Sequence, residues 1–238
     1  MNCIRFVLTL TIATASLSLN SSAQEAAKGK SLFDGTTLAG WSGLASNWRV
    51  EDGAITGQSL ADAPLKNNTF LVYEKKASDF ELTCEFKITG GNSGIQYRSK
   101  VADKEKFIVR GYQADIDSEK DMTKNSYLGI NYEEGGRGIL VERGQINSVV
   151  SEDNKTNKIK IGSTGDASAL RSKVNVDGWN TYKIVAKGNI CQHFINGVLM
   201  SELQDNDVDK RASEGIIALQ LHAGPPMKVQ FKNIMLSE

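Results

Sequence analysis

Three short segments of this sequence carry planar, directional hydrogen-bonding side chains where an idle surface strand would carry threonine, lysine or serine. In Gly94-Ile95-Gln96-Tyr97-Arg98, Gln96 and Arg98 alternate with Ile95 and Tyr97. In Tyr112-Gln113-Ala114-Asp115-Ile116-Asp117, Gln113, Asp115 and Asp117 alternate with Tyr112, Ala114 and Ile116. In Leu219-Gln220-Leu221-His222, Gln220 and His222 oppose two leucines. Side chains alternate strictly along a strand, so each segment offers one apolar face and one polar face. A merely solvated face of an antiparallel sheet would also be polar, but amides, carboxylates, a guanidinium and an imidazole suit sugar hydroxyls and carbonyls. A carboxyl and an imidazole also supply general acid–base chemistry.

These residue types suggest roles. Asp115 and His222 are candidate bases, Arg98 is a candidate electrophile, and Gln96, Gln113 and Gln220 would orient hydroxyls. Asp117 shares the Asp115 face and is placed with the substrate-binding groups. Glu134 and Arg137 flank a Gly135-Gly136 turn. They could close over the site, Glu134 as a catalytic carboxylate and Arg137 as a substrate contact, or stand as a surface ion pair worth little. His193, just before an Asn-Gly turn, reads as structural.

The elements that must position these groups read as strands nearly throughout. Glu81 to Ile88 has period two, and Trp179–Ala186 and Cys191–Ile195 are further strands joined by Lys187-Gly188-Asn189. Asn196-Gly197 follows at once, a strong hairpin signal. No window shows a sustained helical period, so a two-sheet antiparallel sandwich is the expected class. Ser151 to Asp166 is the most polar stretch. Its composition suggests a mobile surface loop or a loop with a short edge strand.

Arg5, the apolar Phe6–Leu19 and the small Ser21-Ser22-Ala23 read as a secretion signal cleaved after Ala23. That leaves residues 24–238 as one domain of an exported protein, periplasmic or extracellular. Twenty-eight basic residues balance 28 acidic ones, which argues against nucleic acid or an anionic membrane as partner. Cys84 and Cys191 lie in strand-like segments and read as two buried thiols, although an oxidising compartment would permit a bridge.

The motifs in chain order resemble the bacterial 3-keto-disaccharide hydrolase family. The resemblance rests on Leu32-Phe33-Asp34-Gly35-Thr36-Thr37-Leu38-Ala39-Gly40-Trp41, on Trp48 to Gly57, and on Asn92 to Arg98. Gly111 to Ile116, Glu133 to Gly138 and Gly215 to His222 continue it. It implies a concanavalin A-like jelly-roll sandwich acting on glycosides oxidised at C3, by elimination and hydration. Gln113 stands where many relatives have Glu, and Asp115 where they have Gln. The carboxylate would then sit two residues along the same strand face.

A ketone at C3 acidifies the proton on C2 and lets the glycosidic oxygen at C1 leave. The chemistry asks for a base near C2 and an electrophile at the C3 oxygen, either Arg98 or a divalent cation held by carboxylate and imidazole; no ligand spacing here is diagnostic of a metal. The substrate would come from a separate oxidoreductase. Two other readings stand beside this one. The first is a non-catalytic carbohydrate-binding domain. The second is a retaining glycosidase, because Asp115-Ile116-Asp117-Ser118-Glu119 is similar to the carboxylate run of retaining β-glucanases, which need two carboxyls about 5–5.5 Å apart.

Overall fold

The computed structural model describes residues 29–121 and 124–238. The secretion signal expected over residues 1–23 lies outside the described residues. The first strands are β1 (Lys30–Ser31), β2 (Trp41–Ser42), β3 (Trp48–Glu51), β4 (Ala54–Ser59), β5 (Thr69–Ala77) and β6 (Phe80–Thr89). The middle of the chain gives β7 (Asn92–Asp103), β8 (Ile108–Asp117), β9 (Asn131–Glu134), β10 (Gly138–Val141), β11 (Gln145–Glu152) and β12 (Lys155–Ser163). After a one-turn helix α1 (Ala167–Arg171) come β13 (Asn180–Lys187), β14 (Ile190–Ile195), β15 (Val198–Asp205), β16 (Gly215–Leu221) and β17 (Met227–Ser237).

The strands form two sheets packed as a jelly-roll sandwich of the concanavalin A type. One has ten strands, in the order β12-β11-β15-β14-β13-β6-β17-β4-β3 with β1 beside β17; the other has seven, in the order β10-β9-β8-β7-β16-β5-β2. All pairings are antiparallel except β11 with β15. Period two makes the sandwich close. Leu82, Cys84, Phe86 and Ile88 of β6 point inward with Tyr182 and Ile184 of β13 and Val229 and Phe231 of β17. They meet Ile95, Tyr97, Tyr112, Ile116 and Leu219 from the seven-stranded sheet. Burying each such large side chain contributes about 1.5–3 kcal/mol.

Two-residue turns set the registers. Asn196-Gly197 joins Ile195 to its partner Val198, with positive φ at both residues. This is the primed geometry whose twist matches the flanking strands. Asp153-Asn154 does the same between Glu152 and Lys155. The polar stretch from Ser151 to Asp166 is therefore mostly strand, not mobile loop: β12 is a nine-residue edge of the larger sheet. Its lysines at 155, 158 and 160 explain the polar composition, since charge on an edge discourages pairing with another chain. Cys84 and Cys191 are buried and unpaired, their thiols pushed up to about 12 and about 11 by burial.

Candidate active site on the outer face of the seven-stranded sheet

The face of the seven-stranded sheet that turns away from the core is divided. One part is apolar: Phe70, Val72, Val109, Ile216 and Ala218 form their own cluster, against which Val101 and Phe107 of the β7–β8 hairpin pack. The other part is polar, because β7, β8, β16 and β9 each turn a polar residue outward. Here Gly94 lies opposite Asp115, Gln96 opposite Gln113, and Gln113 opposite Tyr132.

A directed chain of amides ties this part together. Ser99 Oγ donates to Gln96 Oε1 at 2.7 Å, and Gln96 Nε2 donates to Gln113 Oε1 at 2.6 Å. Gln113 Nε2 then donates to Asp115 Oδ1 and, at 3.5 Å, to Gln220 Oε1. Gln220 Nε2 donates to Glu134 Oε2 at 3.5 Å, and Asn68 Nδ2 donates to Glu134 Oε1 at 3.1 Å. The three glutamines are essentially inaccessible. Fully bonded networks of this kind are rigid, which suits the floor of a site.

Above this floor opens a cleft of about 490 Å³ lined by Gln113, Asp115, Glu134, Gln220 and His222, together with Asn68, Asn92, Tyr127, Tyr132 and Ile139. Burial raises the Asp115 carboxyl well above the ordinary carboxylate range; the Gln113 amide opposes the shift, and the negative charges of Glu134 and Asp117 reinforce it. The Tyr132 hydroxyl is raised by burial and by the charges of Glu134 and Asp115. His222 Nδ1 meets the Ala223 carbonyl, which can only accept. That nitrogen therefore carries the proton and Nε2 is left as the basic one. The Ala223 amide is itself held by Asn68 Oδ1 at 2.9 Å, which ties His222 to the β5 side of the cleft.

Three residues read from sequence as site members have other work. Arg98 does not share a face with Gln96. The β7–β8 register shifts between Tyr97 and Lys100, and Arg98 takes φ +45° at the break. A bulge redirects every side chain after it. The Arg98 guanidinium is buried, donating to the carbonyls of Ser78 (2.7 Å) and Gly188 (2.6 Å) and pairing with Asp79 at 2.8 Å. Arg137 likewise lies within a buried ion network, 2.6 Å from both Glu133 and Asp205, and not over the cleft. Asp117 accepts from the backbone amides of Glu119, Tyr127 and Leu128 and from Ser126 Oγ, and so holds the loop that presents Tyr127. Glu119 lies beyond the end of β8, which breaks the alternating carboxylate run of the glycosidase reading. His193 is fully buried between the sheets, bonded to Tyr97 and Ile130. Burial holds its pKa down at about 3.

Among the described residues no group of three or more His, Cys, Asp and Glu side chains stands at metal-binding spacing. Asp115, Glu134 and His222 share the cleft without forming such a cluster.

The profile of the 3-keto-alpha-glucoside-1,2-lyase-like domain family matches residues 28–237. No curated protein matches the chain. Among solved structures, a candidate glycosyl hydrolase of Parabacteroides distasonis ATCC 8503 is 21% identical with a TM-score of 0.57, over 88% of this chain and 93% of that one. A second candidate glycosyl hydrolase of that organism is 18% identical with a TM-score of 0.56, over 89% and 99%. The carbohydrate-binding module CBM66 of Bacillus subtilis is 17% identical with a TM-score of 0.52, over 84% and 96%. At these identities the likeness is one of fold.

Proposed function

Since the chain belongs to the 3-keto-alpha-glucoside-1,2-lyase-like domain family, we propose that its polar cleft cleaves 3-keto-glycosides by elimination across C1–C2, with hydration of the product as the reverse-type step. The observation that carries this reading is the pairing of groups in the cleft. A buried carboxyl that favours its protonated form lines the same cleft as a histidine and a glutamate.

In this mechanism His222 Nε2 takes the proton from C2, and the C–H electron pair moves into an enolate whose charge lies on the C3 oxygen. Protonated Asp115 donates a hydrogen bond to that oxygen, a role the pinned Arg98 is not placed to fill. The carbonyl then re-forms, a C1–C2 double bond appears, and the aglycone leaves C1 with a proton. The proton that His222 took from C2 is the one returned to the leaving oxygen, while Glu134, whose two oxygens accept from the Asn68 and Gln220 amides, helps to fix the floor beneath the sugar. Addition of water across the same double bond gives the free 3-keto sugar. Asn68 and Asn92 bind the remaining hydroxyls, over the floor that Gln220 completes. Positioned acid–base groups contribute on the order of 100- to 10,000-fold, and stabilisation of the developing oxyanion is usually the larger share. The substrate implies an oxidoreductase that dehydrogenates C3, and the secretion signal expected over residues 1–23 would put the reaction outside the cytoplasm.

A second reading, a non-catalytic sugar-binding domain, is favoured by Tyr127. It stands 49% exposed at the cleft, where a ring could stack on a sugar. Incubation with a 3-keto-glucoside and its unoxidised parent, with and without a divalent metal, decides between them. Enone absorbance and released aglycone from the keto form alone support elimination. Turnover of the parent sugar overturns it, and binding of both without turnover transfers the site to the second reading.

A further inference from the structure

A second cleft, of about 440 Å³, lies at the end of the seven-stranded sheet where β7 bulges, under the 210–215 loop. It shares Glu134 with the first, but its walls are otherwise different. Six cations line it (Lys76, Arg98, Lys100, Arg110, Lys210 and Arg211) against three carboxylates, Glu133, Glu134 and Glu214. Most of these have partners already. Lys76 pairs with Glu214, Arg98 with Asp79, Lys210 with Asp207, and Glu133 with Arg137. Lys100, Arg110 and Arg211 enter no ion pair among the described residues.

Lys100 and Arg110 are also register partners across β7 and β8. Like charges directly opposite one another destabilise a sheet, so three cations without an ion pair, facing Glu134 as the one carboxylate of the wall without a cationic partner among the described residues, make a place where an anion is favoured. The arrangement is held in place. A Cβ on Gly135 would stand 2.9 Å from Arg110 Cγ and Cδ, so the glycine turn lets the arginine stem pack against bare backbone. With a chain that is neutral overall, this is a local feature and not a general basic surface.

We propose that this cleft is a second ligand site, taking a saccharide-sized molecule that bears a carboxylate or a phosphate. The free cations meet the oxyanion, Arg110 and Arg211 through a planar fork suited to it. The carboxylates of the wall accept from hydroxyls. The volume falls within the range of about 300–1,000 Å³ usual for small-molecule pockets and well above what a lone ion fills.

Titration calorimetry of the full chain with glucuronate, glucose 6-phosphate, inorganic phosphate and glucose tests this. The expected result is that the two acidic sugars bind at least about tenfold more tightly than glucose and weaken as salt is raised, because exposed charges are screened. The triple variant Lys100→Gln/Arg110→Gln/Arg211→Gln, all exposed positions, should lose that advantage. Asp115→Asn, in the other cleft, should keep it. Equal affinity for glucose and the acidic sugars, or an unchanged triple variant, overturns the site. Inorganic phosphate binding as tightly as glucose 6-phosphate overturns the saccharide part.

Discussion

The side chain of Gln113 lies across Gly94, in the space that any other residue at 94 would need for its Cβ: that atom would stand 2.5 Å from Gln113 Cγ. From there the Gln113 amide reaches both Asp115 and Gln220 on either side of β7. Gly94→Ala should push the amide out of line. Turnover of a 3-keto-glucoside should fall about 10- to 100-fold through misplaced groups, with a stability loss below about 2 kcal/mol. Unchanged kinetics in a folded variant would show that the amide chain does not position the site.

Asp115→Asn should abolish turnover while leaving sugar affinity within a few-fold. It should also change the pH dependence of stability. The unfolded carboxyl titrates near 3.9, and the folded one is raised. Its contribution is complete below pH ~4 and is lost as pH rises toward the folded value, at up to about 1.4 kcal/mol per pH unit. The variant lacks that loss. Urea unfolding at pH 5 and pH 8 should therefore show the variant gaining on the wild type at the higher pH, and a constant gap would contradict a raised Asp115.

His193 titrates the other way. With its folded pKa held down at about 3 and an unfolded value near 6.5, the unfolded chain takes up a proton first as pH falls. Stability should drop between about 6.5 and 3 on acidification, again by up to about 1.4 kcal/mol per unit. His193→Gln should be weaker at pH 7 yet show a shallower acid slope. Parallel slopes for the two proteins would place the acid sensitivity elsewhere.

Arg98→Lys should cost about 2–3 kcal/mol, since an ammonium cannot reproduce the guanidinium contacts to the Ser78 and Gly188 carbonyls and Asp79. Turnover per folded molecule should not change. Loss of kcat with stability intact would return Arg98 to the site.

Much of the architecture was legible because alternation is a local signal. The inward residues of β6 and β13 and the outward Gln96, Gln113, Asp115 and Gln220 all obey it. The same rule misplaced Arg98, because a bulge is set by what packs against the strand and leaves no mark in the period. Arg137 and Asp117 were misassigned for a related reason. Their partners, Asp205 for one and the Tyr127 and Leu128 amides for the other, are distant in sequence or belong to a loop. Tyr132 could have been found, since period two puts it on one face with Glu134 just before the Gly-Gly turn. Asn68 and Tyr127 sit in irregular segments, where only the folded chain brings them to the cleft.

The amide chain beneath the cleft also has a sense of direction. Every link from Ser99 onward gives its hydrogen toward a carboxylate, and turning one middle glutamine over alone would set its oxygen against the next acceptor. With the amides in this sense Asp115 Oδ1 receives an N–H, which leaves Oδ2 as the oxygen open to carry a proton. The chain works as a one-way latch: in this sense it reserves Oδ2 as the atom through which Asp115, when protonated, donates to a ligand.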